Sequence, residues 1–363
     1  MYLKKWFNLH FQGKIWGGEA LWFPVIALAT LGVVFVYSSS GVFSQHRYGD
    51  EFLFLKKHLM YSVMGMGAAG LGMFIPLSFY EKWKKVIVYI SISLVFFTYL
   101  PGVGRKVLGA SRWIDFKIFR FQPSEILKLS MVIFAAQSPK NLFFWVTLVL
   151  SLGLLYGQPD FGSCLLVLWS VGWIMYLEGV PGKYFVYGSI GFIPAFLVLL
   201  IIAPYRLRRL GVYLNPFKDP LGSGFQIIQS LLGIANGGWF GKGLGSSQQK
   251  LFFLPEAHTD FVLSVMTEEI GFLGFFVICL LYLIFMNYLI FITIRTKDAF
   301  AKSFALGIAA LFMGSIVINM GVVCGLLPAK GLPLPFLSSG GTSLLMSYFM
   351  VGVCARIHRF HLG

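Results

Sequence analysis

Residues Ser303–Gly325 read SFALGIAALFMGSIVINMGVVCG, twenty-three positions without one charged side chain. About 20 apolar residues carry an α-helix across the hydrocarbon core of a bilayer, so this run predicts a transmembrane span. Working outward, similar runs fall at about 21–39, 58–76, 85–100, 124–137, 142–156, 161–178, 183–203, 260–294 and 341–355. The runs at 124–137, 142–156 and 341–355 are short for a span and need tilt or burial by neighbours. The run at 260–294 is too long for one crossing, so its start is expected to project beyond the membrane. Composition agrees: of 363 residues, 57% are hydrophobic and 12% charged, with a mean hydropathy of +0.78, against roughly 25% charged in an ordinary soluble domain. That excludes a soluble multidomain enzyme and a disordered chain. The expected fold is an all-α polytopic membrane protein of about ten transmembrane helices, a single integral domain over 1–363.

The charge is lopsided, with 29 Lys and Arg against 14 Asp and Glu. In a membrane chain this excess points to lipid headgroups, cytoplasmic loops and then an anionic substrate, and not to nucleic acid. Lys4, Lys5 and Lys14 precede the first span, which reads as an uncleaved signal anchor. Counting cations does not choose a side; the weight given to short loops and the first span places both termini in the cytoplasm. Residues 204–259 then form a large extracytoplasmic loop between spans seven and eight. Cys164, Cys279, Cys324 and Cys354 all sit in apolar runs without a metal-ligand or disulfide spacing. No phosphate-binding loop is present, so no nucleotide is expected.

Every segment of unusual polarity falls on the face opposite the termini. Gly109-Ala110-Ser111-Arg112-Trp113-Ile114 leads to Gln122-Pro123-Ser124-Glu125-Ile126-Leu127-Lys128, where Pro123 begins a helix and Glu125 and Lys128 share a face. They read either as a capped helix with an internal ion pair or as part of a site, because charge entering a span is costly. Gln158-Pro159-Asp160-Phe161-Gly162 opens the sixth span, with Asp160 an N-cap or a ligand for a cation or a sugar. Leu254-Pro255-Glu256-Ala257-His258-Thr259-Asp260-Phe261 crowds two carboxylates and an imidazole at a helix mouth. That set suits a general base with an orienting partner, or a divalent ion, and spacing does not separate the two. Of Glu268 and Glu269, one is expected to face the bundle and pair with a cation. Finally, Gly325–Ser343 carries three prolines and four glycines. Such backbone at membrane depth must be buried in protein or line a polar cavity, and its Ser-Ser-Gly-Gly-Thr-Ser turn offers N–H groups to an anion beside Lys330.

In this order across ten spans, the motifs QPSE, QPDFG, PEAHTDF and GLLPAKGLPLPFLSSGG closely resemble the shape, elongation, division and sporulation (SEDS) family of bacterial peptidoglycan glycosyltransferases, over essentially the whole chain. Pro255–Phe261 and Lys330-Gly331-Leu332 resemble its division-type branch more than its elongation-type branch. Three departures stand out: Ser339 replaces the usual tyrosine, Ala329 the usual Thr or Val, and Lys56-Lys57-His58 stand where an arginine is common. A lysine holds a diphosphate as a point charge and cannot repeat a bidentate clamp.

The resemblance implies lipid II, a disaccharide-pentapeptide on a polyprenyl diphosphate, as substrate, and the nascent glycan strand as product. It implies an inverting displacement of the diphosphate, with Asp260 as the catalytic base. Arg112, Lys128, Lys330 or a bound divalent cation (Mg or Mn, with Asp260 a candidate ligand) would meet the leaving group. Lys57, Gln122, Glu125, Asp160, Glu256, His258, Thr259, Ser338, Gly340 and Gly341 are the further substrate-binding candidates. The implied partners are a class B penicillin-binding protein transpeptidase and other membrane proteins of the division machinery, in the bacterial inner membrane. A lipid II flippase needs a cavity and cations but no base, and a scaffold needs neither; both readings stay open on sequence alone.

Overall fold

The structure, a computed structural model, describes residues 18–101, 103–107, 110–116, 120–137, 141–187, 190, 211, 213–220, 222, 224–328 and 331–362. The N-terminal lysines, most of the run at 183–203, and Lys330 lie outside them. Helices form where the apolar runs fall. α1 (Trp22–Tyr48) stops at Gly49, whose φ of 73° ends the helix in the left-handed region. α2 (Leu53–Phe74) and α3 (Leu77–Phe97) meet at 110°, because Pro76 stands in extended backbone between them and cannot continue a helical ladder. α4 (Pro123–Ala135), α5 (Leu142–Gly157) and α6 (Phe161–Leu177) are the short helices. α4, only 13 residues, is buried along nearly its whole length, which is how so short an element is accommodated. α7 (Phe225–Gly237), α8 (Val262–Arg295), α9 (Ala299–Val323) and α10 (Thr342–His361) follow. α1, α8 and α9 are singly long and apolar enough to cross a membrane, and α2 with α3 pass the same test as a bent pair.

Two local features depart from the sequence reading. Residues 104–121 form a small antiparallel sheet, β1 (Gly104–Val107), β2 (Ala110–Asp115) and β3 (Arg120–Phe121), with Gly104 opposite Ile114 and Ile114 opposite Phe121. The loop at 204–259 also contains a helix of its own, α7, which packs along α8.

Small residues set the helix spacing. A Cβ on Gly72 of α2 would stand 2.5 Å from the Phe349 carbonyl oxygen of α10, and one on Gly352 would stand 2.0 Å from the Ala69 carbonyl. In a bilayer lipid competes equally for apolar surface, so close backbone approach, not burial from water, drives such pairs.

The long eighth run is one element in sequence and two in space. At Gly271 the backbone turns to φ 71°, ψ −173°, and residues 238–243 are stitched into the break. Lys242 and Gly243 N–H donate to the Glu268 and Glu269 carbonyls, both at 3.0 Å, while Phe272 and Leu273 N–H donate to the Gly238 and Trp239 carbonyls at 2.8 and 3.1 Å. These four groups would have bonded one another in an unbroken helix. The stitch needs bare backbone, since a Cβ on Gly271 would lie 2.3 Å from the Gly241 nitrogen. Both acidic side chains, not one, pair with cations: Glu268 with Lys242 at 2.9 Å, Glu269 with Lys250 at 3.2 Å. Ser247 Oγ donates to Glu268 at 2.5 Å and Ser38 Oγ of α1 to Glu269 at 2.6 Å. Each buried carboxylate thus has a charge and hydroxyl partners, which offsets the cost of taking it out of water.

Candidate active site

Ahead of α8 the chain makes a tight turn on Glu256. Its φ of 56° is unusual for a side-chain-bearing residue, and its carbonyl accepts from Thr259 N at 3.1 Å and Phe261 N at 3.4 Å. Its carboxylate accepts from Thr259 Oγ1 at 2.9 Å. This turn sets Asp260 outside the helix: the N-cap position is Phe261, and no side chain caps α8.

Among the described residues none donates a hydrogen bond to the half-buried Asp260 carboxylate. Burial, then the neighbouring negative charge of Glu256, pushes its pKa up to about 7, and the Arg112 guanidinium acts in the opposite direction. Gly331 lies directly against it, close enough that a Cβ there would stand 3.0 Å from Oδ2. Arg112 arrives from β2, so the sheet is the device that positions this cation. Its Nε and Nη2 donate to the Gln158 and Pro159 carbonyls at 2.8 and 2.6 Å, which ties the sheet to the QPDFG segment.

Asp160 differs from Asp260 in every respect. It caps α6, accepting from Ser163 N at 3.2 Å and Ser163 Oγ at 2.8 Å. Ser124 Oγ at 3.2 Å and Gln122 Nε2 at 3.5 Å donate to it as well. Its oxygens are occupied by the protein. Gln122 N also donates to Thr342 Oγ1 at 3.0 Å, joining the start of α4 to the start of α10. Ser338 faces inward, its Oγ accepting from Leu334 N at 2.9 Å, and so shapes the turn that precedes α10. Gly340 and Gly341 complete that turn. Gly341 has a φ of 45°, and a Cβ there would lie 3.3 Å from the Tyr61 ring.

The His258 ring packs on Phe54, with centroids 4.4 Å apart, and on Phe43 at 5.9 Å. Burial lowers its pKa, with the nearby negative charge of Glu256 acting in the opposite direction. The same Phe54 ring carries Lys57 Nζ at 5.7 Å, bringing this exposed cation beside the PEAHTDF turn. Lys128 Nζ holds Glu125 Oε1 at 2.8 Å with both side chains over 90% buried; the pair lines a small cavity with Ser315, Ser343 and Ser347. Among the described residues no group of three or more His, Cys, Asp and Glu side chains is placed to hold a metal.

The non-helical segment 331–341 is pinned from three helices. Gly32 of α1 lets the Phe336 carbonyl approach to within 2.3 Å of where a Cβ would be, and Tyr282 of α8 donates to the Pro335 carbonyl at 2.5 Å. Asn319 of α9 donates to the Leu332 carbonyl at 2.8 Å and to the Asp260 carbonyl at 2.9 Å. Ser339 N reaches the His258 carbonyl at 3.1 Å. Sequence reading missed Asn319, although one amide side chain inside Ile316–Val323 is itself a signal.

Fold and site together define a polytopic membrane protein whose polar segments meet at Asp260, a carboxylate without a hydrogen-bond partner among the described residues. Residues 19–362 match the family model described as cell cycle protein, the FtsW, RodA and SpoVE family, and the chain belongs to that family. It is 42% identical over 346 residues to a probable peptidoglycan glycosyltransferase FtsW of Trichlorobacter lovleyi, covering 92% of this chain and 91% of that one. It is 37% identical over 348 residues to stage V sporulation protein E of Bacillus subtilis, covering 92% and 95%. Among solved structures, a chain of a peptidoglycan synthase complex that coordinates polymerization and crosslinking superposes with a TM-score of 0.76 at 28% identity, covering 93% and 96%. The rod shape determining protein RodA of Thermus thermophilus shares the fold, with a TM-score of 0.68 at 24% identity over 94% and 96% of the two chains.

Proposed function

We propose that this peptidoglycan glycosyltransferase polymerises lipid II, in division or sporulation, with Asp260 as the base. The observation that carries this reading is the Asp260 carboxylate itself: uncapped, unbonded among the described residues, and set beside a cation. The acceptor 4-hydroxyl gives its proton to Asp260 as its oxygen bonds to C1 of the donor, and the C1–O bond to the diphosphate breaks with its electron pair. An α-linked donor becomes a β-linked strand in one in-line displacement. A diphosphate leaves without an acid, so cations suffice on that side. Arg112 spends two of its five N–H donors on the Gln158 and Pro159 carbonyls, which fixes its fork near the reacting carboxylate. Lys57 adds a second charge at the edge of the turn.

Asp260 and Glu256, close enough for the charge of one to act on the other, would be the residues to hold a Mg or Mn ion, since such ions often use only one or two protein carboxylates and complete their shell with phosphate and water. Its contribution would be neutralisation of the leaving group. A flippase or a scaffold leaves a free, desolvated carboxylate unused. The likeness to a chain of a synthase complex supports a class B penicillin-binding protein transpeptidase as partner, with other division proteins around it.

Glycan strand formation from lipid II by the purified protein, with and without its cognate transpeptidase, tests this reading. The base must be unprotonated to act, so kcat/KM is expected to fall as pH drops through about 7. Arg112→Gln removes the charge that lowers this pKa, and the acid limb should move to higher pH. A flat profile between pH 5 and 9 counts against Asp260 as the base.

We also propose that the site is extracytoplasmic and both termini cytoplasmic. Cysteine at the exposed Ser246 should then react with an impermeant thiol reagent in intact cells, and cysteine at the exposed Lys297 should not. The reverse pattern inverts the topology. Ser303 is unsuitable as a reporter, being buried with its hydroxyl on Glu178.

A further inference from the structure

Asn319 sits near the end of α9, buried, where an apolar side chain would satisfy the span better. Its amide nitrogen lies 2.9 Å from the Asp260 carbonyl and 2.8 Å from the Leu332 carbonyl. Among the described residues its own buried oxygen has no hydrogen-bond partner. A buried acceptor without a partner is costly, and the two N–H groups, each on a backbone carbonyl, are what the amide contributes here. Two carbonyl oxygens facing one another repel; an NH2 with two diverging hydrogens is the smallest group that holds both. The amide orientation is fixed by this geometry, because turning it over would set a third oxygen against the two carbonyls.

The bridge matters because the Asp260 carboxylate has no hydrogen bond of its own among the described residues. Its direction depends on its backbone and on what it touches. Leu332 is anchored on the far side by Gly162 of α6, where a Cβ would meet the leucine side chain at 2.9 Å. With Leu332 fixed, the preceding Gly331 is laid along Asp260 Oδ2, close enough that a Cβ would stand at 3.0 Å. Main chain and side chain of Asp260 are therefore held by the same short segment.

We propose that Asn319 is a positioning residue: it clamps the Asp260 backbone to Leu332, so that Gly331 lies flat against the carboxylate and aims it at the acceptor hydroxyl. This rests on Asp260 being the base. Asn319 acts through two backbone carbonyls. Gly331 supplies a wall without a side chain, and the two act together.

The test compares Asn319→Leu, a near-isostere without donors, and Gly331→Ala, at an exposed glycine, with Asp260→Asn measured in parallel. Lipid II polymerisation is followed in the complex with the transpeptidase, and kcat and KM are separated. Displacement of a reacting group by about 1 Å can cost 10²-fold. Asn319→Leu is therefore expected to lower kcat by about 10- to 100-fold, and Gly331→Ala by about 10-fold, each with KM for lipid II within about twofold. Should Asn319→Leu not accumulate in the membrane, Gly331→Ala reads the same geometry from a position that bears no packing load. Wild-type kcat in Gly331→Ala, or a loss confined to KM or accompanied by loss of transpeptidase binding, overturns the positioning role. Inactive Asp260→Asn beside fully active Asn319→Leu and Gly331→Ala removes the clamp and leaves the base assignment standing. An active Asp260→Asn removes the base assignment itself.

Discussion

Asp260→Asn is expected to lower lipid II polymerisation by about 10²- to 10⁴-fold, the usual contribution of a positioned base, while the protein still inserts and binds its transpeptidase. Asparagine keeps the size of the side chain and its capacity to accept a hydrogen bond but cannot take the hydroxyl proton. A capping role would give the opposite result, since Asn and Asp cap helices almost equally well. Asp160 supplies the internal control. Its carboxylate does cap, accepting from Ser163 N and Oγ, so Asp160→Asn should retain far more activity than Asp260→Asn. Glycan strand length and yield from purified complexes distinguish the two. Near-normal synthesis by a well-expressed Asp260→Asn protein would sink the base assignment.

The second large effect concerns Lys128. Replacing it with methionine strands Glu125 in a site where both side chains are over 90% buried, and breaking such a pair typically costs about 3–5 kcal/mol. Lys128→Met should therefore unfold in detergent at a distinctly lower temperature than the parent. Changing both residues, Glu125→Gln with Lys128→Met, removes the unpaired charge and should recover most of that stability, and polymerisation with it. A double variant that is stable but inactive would show that the pair serves the substrate as well as the fold.

The apolar runs announced the helices because a bilayer enforces length and composition on anything that crosses it. The 124–137 run is a helix too, α4, and nearly its whole length is covered by neighbours, which accommodates so short an element. What the sequence concealed depends on contacts distant along the chain. β1 to β3 occupy a dozen residues among polar loop positions, too few for a periodic signal. The break in α8 rests on Gly271, one glycine in an apolar run, and its meaning comes from Gly241, thirty positions away. The motifs told which residues would gather: Arg112, Asp260 and the 331–341 segment do meet. They did not tell how Asp160 and Asp260 would differ, since each precedes an apolar helix by one or two positions. That difference comes from the serines around Asp160 and from the turn at Glu256, which holds Asp260 off the helix end.

The stitch at Gly271 also bears on how the protein is made. Glu268 and Glu269 carbonyls and Phe272 and Leu273 amides have their partners in residues 238–243, and an unmet peptide group in hydrocarbon costs several kcal/mol. α8 in its broken form is therefore not a self-sufficient rod: the four groups can pair with one another in a continuous helix, and they exchange those partners for residues 238–243 when the break forms. Residues 238–243 precede α8 in the chain, so the break closes when the connection at 244–261 folds back and lays α8 onto them. Lengthening that loop, harmless between most membrane helices, would here delay the closing of a span.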